Sequence, residues 1–187
     1  MRILALADAP PHRPIDELAA ACDPELVVLL GDLEPAWTDG LADVAVPKIG
    51  VHGNHDAAGA LEALGAEDVH LRRVEIDGLS FSGLSGSPRY SRQAKPYEWT
   101  DEQAKALIAR LPAADVLLTH TPPLGVDDDP DDPVHRGFAT LRDWVVDHQP
   151  RFLLHGHTQP NPARRTGRLG ATRVIHVRGA ALLQLPE

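Results

Sequence analysis

Residues 50–56 read Gly-Val-His-Gly-Asn-His-Asp and place an amide, two imidazoles and a carboxylate close together in the chain. An apolar, β-branched stretch over residues 46–51 leads into this segment and predicts a buried strand. Gly53 then permits a sharp backbone turn. Ligands of α/β sheets bind at the carboxyl ends of strands, so these side chains are candidates for chemistry. Taken alone, the segment fits equally well a polar turn in which Asn54 or Asp56 caps the following helix.

Polar side chains also follow four other predicted strands, and this repetition favours a functional site over a helix-capping turn. A lone histidine at a strand end is more often a cap or a satisfied polar group than a ligand. Carboxylates, amide oxygens and imidazoles at five strand ends are instead typical ligands of divalent metals. The sequence therefore predicts a metal cluster above one sheet edge. Its candidate residues are Asp8, Asp32, Asn54 with His55, His120 and His157.

Strands and helices alternate in the first third of the chain. Strands are predicted for residues 2–7, 26–30 and 46–51, with helical segments at residues 15–21, 37–43 and 57–64. This alternation predicts a parallel or mixed sheet with helices outside.

The remainder of the chain is more mixed. Residues 69–81 predict a hairpin around Asp77-Gly78, which is a strong tight-turn signal. Thr100 is a candidate cap for a helix over residues 100–111. Residues 127–133 are acidic and contain proline, and we expect a solvated loop there. The other predicted elements are strands at 115–119 and 151–155, a helix at 137–148, and a closing hairpin formed by residues 172–177 and 180–185.

Composition sets the class of protein. A chain of 187 residues with 43% hydrophobic and 24% charged residues predicts one globular domain over residues 1–187. A formal net charge of −9 argues against a surface that coats nucleic acid by charge. The single Cys22 cannot form an intramolecular disulfide and, with no secretory pattern at the start, favours a cytoplasmic location. No apolar run approaches the length of a membrane span.

The five blocks resemble the calcineurin-like metallophosphoesterase family over essentially the whole chain. The family motifs are Asp-x-His, Gly-Asp, Gly-Asn-His-Asp/Glu, a lone His after a strand, and Gly-His-x-His. The resemblance implies a four-layer α/β/β/α sandwich of two mixed sheets flanked by helices, with the metal site at the carboxyl ends of strands. The Leu-Thr-His-Thr-Pro-Pro-Leu-Gly segment around His120 looks closest to a small-phosphodiesterase branch. The matching residues are Asp8, Gly31-Asp32, Gly53-Asn54-His55-Asp56, His120 and Gly156-His157.

Two positions depart from the family pattern, and both belong to its first metal. Pro10 stands where Asp-x-His has its histidine, and Gln159 stands where Gly-His-x-His has its second. His12 and His155 lie near these gaps, but off the family positions, and we expect loop or supporting roles for them. The resemblance leaves Asp8 on the first metal, with the Gln159 amide oxygen as a further candidate ligand. It keeps the second metal's set intact, with Asp32 bridging and Asn54, His120 and His157 completing it.

The resemblance also implies a mechanism. Two cations ~3.5–4 Å apart neutralise a phosphodiester and supply hydroxide near neutral pH. His55 would donate a proton or hydrogen bond to the leaving oxygen, with Asp56 orienting it. Asn54 would contact both metal and phosphate. Further candidates for substrate binding are Arg89, His135 and Arg136.

The sequence therefore predicts a metal-dependent phosphoesterase and, within that class, a phosphodiesterase for small or nucleotide-like substrates. A phosphomonoesterase and a degenerate metal-binding scaffold are the alternatives. Because the first site is short of nitrogen ligands, we expect Mn²⁺, with one ion held firmly and a second more weakly.

Overall fold

A computed structural model of the chain describes residues 1–93, 95–159 and 166–186. The helices are α1 (Ile15–Cys22), α2 (Ala60–Ala63), α3 (Asp101–Ile108) and α4 (Ala139–His148). The strands of the first half are β1 (Arg2–Ala7), β2 (Leu26–Leu29), β3 (Lys48–Gly50), β4 (Glu67–Asp68), β5 (Arg73–Ile76) and β6 (Leu79–Leu84). They are followed by β7 (Ser87–Pro88), β8 (Glu98–Trp99), β9 (Val116–Thr119), β10 (Phe152–His155), β11 (Arg168–Leu169), β12 (Thr172–His176) and β13 (Gly179–Gln184).

Two large mixed sheets carry the site. The first has the strand order β13-β1-β2-β3-β4, with β1 to β4 parallel and β13 antiparallel to β1. The second has the order β11-β12-β10-β9-β6-β5, with β6, β9, β10 and β12 parallel. The predicted hairpin of β5 and β6 is confirmed at the edge of this second sheet. Parallel strands point their carboxyl ends the same way, and this collects the residues that follow them.

Alternation along the strands explains the four layers. Ile3, Ala5 and Ala7 of β1 face an apolar core between the sheets, which Phe81 and Leu118 of the second sheet also enter. The intervening residues of each strand face helices instead, because successive side chains point to opposite faces. On the first sheet Leu4 and Leu6 pack against α1 through Ile15 and Leu18. On the second sheet Leu117 and Leu153 pack against α3 and α4 through Ile108, Leu141 and Val145. The α/β/β/α arrangement expected from the sequence is confirmed.

The predicted closing hairpin is wrong. β12 pairs with β10 in the second sheet, whereas β13 pairs with β1 in the first. The chain therefore crosses from one sheet to the other over residues 177–178. A hairpin would have taken β13 away from β1 and left that edge of β1 unpaired, and unpaired edges are unfavourable. The observed pairing covers this edge and packs Ala181 and Leu183 against the core between the sheets.

Three local predictions also need correction. The segment predicted as helical at 37–43 forms two short 3₁₀ turns, Pro35–Trp37 and Leu41–Asp43, and that predicted at 57–64 is helical only over Ala60–Ala63. The acidic loop is not solvated throughout. Asp128 is buried and accepts hydrogen bonds from the N–H groups of Gly125 and Gly137. These donors offset the cost of removing the carboxylate from water.

No helix in the described part of the chain has both the length and the apolar character that a bilayer-spanning segment needs.

The predicted Thr100 cap is confirmed and generates a stability prediction. Its hydroxyl accepts from the Gln103 N–H while the Gln103 side chain accepts from the Thr100 N–H. Thr100→Ala breaks this capping box and should lower the free energy of unfolding by ~1 kcal/mol, measured by urea denaturation. Thr140→Ala, in the first turn of α4, is the matched control and should cost less. Equal losses would contradict a capping role.

Candidate metal centre

Four side chains meet where the two sheets present their carboxyl ends. Asp8 and Asp32 follow β1 and β2 of the first sheet, and His120 and His157 follow β9 and β10 of the second. Each offers one ligand atom, and these four atoms all lie within 4.8 Å of one another. Both histidines are buried and both carboxylates are partly buried. Of the predicted metal ligands, the structure thus brings these four together.

The backbone at three of these residues is in the left-handed region. The φ angle is 55° at Asp8, 53° at Asp32 and 65° at His157. This conformation costs a non-glycine residue roughly 1–2 kcal/mol. Hydrogen bonds help to hold it, since the His157 N–H donates to the Asp8 carboxylate at 2.7 Å and the His55 N–H donates to Asp32 at 2.8 Å.

Glycines make room for the two carboxylates. A Cβ atom at Gly53 would lie 2.0 Å from an Asp32 oxygen, and one at Gly156 would lie 2.2 Å from an Asp8 oxygen. Any side chain at either position would push the carboxylate away. The glycines of these two motifs therefore serve close approach to the site.

His120 is surrounded by oxygen acceptors. Its Nδ1–H donates to the Leu30 carbonyl at 2.8 Å, while Nε2 lies 3.0 Å from Asn54 Oδ1 and 3.5 Å from Asp32 Oδ2. Burial alone would lower the pKa of His120, but the hydrogen bond to Asp32 and the charges of Asp8 and Asp32 raise it to about 9. A positive charge is therefore strongly favoured at this point, whether a proton or a cation supplies it.

The pKa of His157 is shifted in the opposite direction from that of His120. Its Nε2–H donates to the Val134 carbonyl at 2.7 Å, so Nδ1 keeps the lone pair that a metal needs. Burial and the charge of the neighbouring His120 lower its pKa to about 3. The ring is therefore neutral at physiological pH, in the state required of a ligand.

The pKa values of the two carboxylates are also shifted in opposite directions. Burial raises the pKa of Asp8 to about 6, although the charge of His120 opposes the effect. Burial would also raise the pKa of Asp32, but hydrogen bonding and charge from His120 outweigh it and lower the pKa to about 2. Asp32 is thus fully ionised at neutral pH and Asp8 is readily ionised by a nearby cation. Two carboxylates and two imidazoles fit a borderline divalent cation.

Asn54 and Gln159, the other two predicted ligands, occupy different surroundings. Asn54 is buried, with Oδ1 toward His120 and its Nδ2–H donating to the Tyr90 hydroxyl at 3.0 Å. Its amide oxygen is therefore oriented toward the cluster. Gln159 is exposed and lines the cavity above it. Pro10 lies at a neighbouring depression together with His12, which is exposed and lies outside the four-residue cluster.

His55 lies at the entrance of the site with its ring exposed. The Tyr90 hydroxyl is 3.4 Å from its Nε2. Asp56 was predicted to orient His55, but among the described residues its carboxylate accepts instead from the N–H groups of Gly53 at 2.7 Å and Asp32 at 3.2 Å. Asp56 thus fixes the turn that carries Asn54 and His55, and the group facing the His55 ring is Tyr90.

A cavity of about 560 Å³ opens above the cluster. Its polar lining includes His55, His135 and Gln159, and Leu33, Pro35 and Trp37 form an apolar wall. His135 therefore lies where sequence analysis expected a substrate-binding residue. Arg89 and Arg136 are exposed but are not among the residues that line the cavity.

Sequence reasoning missed Tyr90, Arg178 and the wall residue Trp37. Tyr90 contacts both Asn54 and His55, and Arg178 lines the cavity beside Asp8. Each is an isolated residue outside any motif, and no spacing pattern pointed to it. His155 was expected in a supporting role, and it is buried with Nε2 3.3 Å from the Asp127 carboxylate and its ring stacked on His176.

Two sheets in a four-layer sandwich, with carboxylates and imidazoles converging at their strand ends, define an α/β domain with a candidate metal centre. The model of the calcineurin-like phosphoesterase superfamily domain matches residues 1–177, and the chain belongs to this superfamily. The family relation inferred from the motifs is thereby confirmed, and together with the four-residue cluster it supports a metal-dependent phosphoesterase.

Solved structures support the same fold. One crystal structure matches with 15% sequence identity and a TM-score of 0.68, and 98% of each chain is covered. The crystal structure of TT1561 from Thermus thermophilus matches with 17% identity and a TM-score of 0.57, covering 95% of this chain and 89% of that one. At these identities the similarity establishes the fold. A comparison with curated proteins gave no match.

The raised pKa of His120 predicts that cation binding releases protons. Below its pKa of about 9 the ring holds a proton that a cation at Nε2 must displace. Titration with Mn²⁺ at about pH 7.5, in buffers of different ionisation enthalpy, should therefore show release of about one proton per ion. Near pH 5.5 the release should rise, because Asp8, with its pKa raised to about 6, also carries a proton there.

His135→Ala is the control for this titration, because His135 lines the cavity outside the four-residue cluster. It should leave the number of released protons unchanged. Binding at about pH 7.5 without proton release would contradict coordination through His120.

Proposed function

We propose that this chain hydrolyses phosphodiesters of small or nucleotide-like molecules with the help of divalent metal ions. The observation that carries the proposal is the convergence of Asp8, Asp32, His120 and His157 beneath a cavity with His55 at its entrance. Hydrolysis of a phosphodiester needs positive charge beside the phosphoryl oxygens and a proton donor for the leaving oxygen. The cluster can hold a cation that supplies the positive charge, and His55 can act as the proton donor.

A divalent cation held by this cluster would polarise the phosphoryl group and lower the pKa of water to supply the nucleophile. The chain's own residues do the rest. Asn54 orients its amide oxygen into the cluster through its hydrogen bond to Tyr90. His55 reaches the leaving oxygen from the exposed side, and the Tyr90 hydroxyl holds its ring.

The position of Asp8 bears on the number of metal ions. The family pattern assigns it to the first metal, and its carboxylate lies within 4.8 Å of the ligand atoms of Asp32, His120 and His157. We propose that one ion binds firmly among Asp32, Asn54, His120 and His157. A second ion would have Asp8, Asp32 and Gln159, all oxygen donors, and would bind more weakly. Oxygen-rich sites suit Mn²⁺ better than Zn²⁺.

The cavity supports a diester of modest size. A volume of about 560 Å³ lies in the range of small-molecule sites. The wall formed by Leu33, Pro35 and Trp37 offers an apolar surface for the second ester group, and the indole of Trp37 can stack on a flat ring. The one ester group of a monoester would be the leaving group at His55, and the wall would then have no partner. For this reason we favour the diester over the phosphomonoesterase alternative.

A weakly catalytic metal-binding scaffold remains the second candidate because Pro10 and Gln159 remove two nitrogen ligands. The Tyr90 contacts to Asn54 and His55 favour the enzyme, since a scaffold has no need of an oriented proton donor.

Metal-stripped protein assayed on chromogenic monoesters and diesters, with several divalent metals added back, tests the function. We expect metal-dependent turnover that is greatest with Mn²⁺ and greater on diesters. His157→Ala removes a ligand and should reduce turnover by at least roughly 100-fold while the protein stays folded. His148→Ala, on the exposed part of α4, is the control and should retain turnover. Wild-type turnover in His157→Ala would contradict the site.

Leaving-group dependence tests His55. His55→Ala should reduce turnover by roughly 10²–10⁴-fold on alkyl esters, whose leaving oxygen needs a proton, and much less on nitrophenyl esters. Circular dichroism checks that the variant is folded. An equal loss on both kinds of ester would indicate a structural role for the ring.

A further inference from the structure

Arg178 lies close to Asp8. β13 runs antiparallel to β1 with Gly179 paired to Ala7, so Arg178 and Asp8 both directly adjoin this last pair of the ladder. The charge of Arg178 is close enough to lower the pKa of the Asp8 carboxyl against the effect of burial. The crossing between the sheets, which the sequence did not predict, is what brings this arginine to the site.

Arg178 also stands beside the position that lost its family histidine. A Cβ atom on Gly179 would lie 3.0 Å from the Pro10 carbonyl oxygen, so the two backbones are adjacent. The cavity lining that includes Arg178 also includes Gln159. The guanidinium is therefore on the side of the site where the family's first metal has its ligands and where this chain has Pro10 and Gln159.

The guanidinium is available to a ligand. Arg178 is exposed, and no described residue forms a hydrogen bond or ion pair with its side chain. Among the described residues that line the cavity it is the one arginine or lysine, whereas Asp8, Asp32, Glu34 and Asp56 are acidic. Apart from Arg178, the carboxylate side chains are the strongly charged groups of this lining, and they repel an anion that enters the cavity.

We propose that Arg178 binds the phosphoryl group of the substrate from the side of Pro10 and Gln159, and that its charge there takes the place of a tightly bound first metal. The inference rests on the proposed function for the identity of the anion. A guanidinium donates paired hydrogen bonds to phosphate oxygens and remains charged at every physiological pH. By the same charge it repels a cation that would bind beside Asp8.

Three measurements on the full chain test the inference. Inorganic phosphate is titrated into Mn²⁺-loaded protein, Mn²⁺ is titrated into stripped protein, and kcat and KM are measured on a chromogenic diester. Arg178→Ala should weaken phosphate binding and raise KM by roughly 10- to 100-fold, with a smaller change in kcat. It should also tighten binding of the weaker Mn²⁺ by roughly three- to tenfold. If Arg178 had only a structural role, its replacement by alanine would not strengthen metal binding.

Two variants serve as controls. Arg173→Ala removes another exposed arginine at the opposite end of β12, where it lines a separate depression, and should change none of the three quantities. Arg178→Lys keeps the charge but loses the paired donors, so its phosphate affinity should fall between those of wild type and Arg178→Ala. It also replaces Arg178→Ala as the test variant if the alanine protein does not fold.

Four results would overturn the inference: no phosphate binding by Mn²⁺-loaded wild type, unchanged phosphate affinity in Arg178→Ala, equal losses in Arg178→Ala and Arg173→Ala, or unchanged Mn²⁺ affinity. Failure of the proposed function looks different. Phosphate binding that depends on Arg178, without hydrolysis of any ester by wild type, would refute the enzyme and retain the anion site.

Discussion

The two halves of this site depend on hydrogen bonds that cross from one sheet to the other, and the bond between His157 and Asp8 is the first of them. The backbone N–H of His157, after the central strand of the second sheet, donates to the carboxylate of Asp8, after the first strand of the first sheet. It can form because Gly156 has no Cβ to displace that carboxylate. Together with the hydrogen bond from the His120 ring to the Leu30 carbonyl, it ties the two sheets at their carboxyl ends, where the candidate ligands lie. The apolar core between the sheets also holds the two sheets together.

The arrangement is costly to the chain without a cation. Two carboxylates share a small volume, a buried imidazole faces acceptors on all sides, and three left-handed residues each cost roughly 1–2 kcal/mol. Native hydrogen bonds to backbone N–H groups offset part of this cost. A site of this kind persists because the surrounding layers are stable enough to hold it, and because a bound cation relieves the repulsion between carboxylates.

Sequence predicted what depends on local pattern and missed what depends on packing between distant segments. Alternation and apolar runs were enough for the buried strands. The motif residues Asp8, Asp32, His120 and His157 do converge, but they do so between two sheets and not above one, because the two sheets present their carboxyl ends at the same place. The separation of β12 from β13 was not predictable, since adjacent strands with a short link look like a hairpin whichever sheets they join.

Burial within loops escaped prediction for the same reason. Residues 127–133 read as a solvated acidic segment, but Asp127 contacts the buried His155 and Asp128 accepts two backbone N–H groups. Nothing in the local sequence records those partners. Tyr90 and Arg178 are likewise single residues whose importance comes only from what the fold places beside them.

The two departures from the family pattern and the arginine have one physical explanation. Pro10 has no donor atom, and Gln159 offers only a neutral amide in place of an imidazole. Loss of those nitrogens weakens the hold on a cation but leaves the need for positive charge beside the phosphoryl oxygens. In the proposed function, the guanidinium beside Asp8 would meet that need with fixed donors, yet it would not activate water at neutral pH. The nucleophile would therefore come from the side of Asn54, His120 and His157, where no ligand of the family pattern is replaced. The proposed site is divided accordingly, with anion binding on one side and water activation on the other.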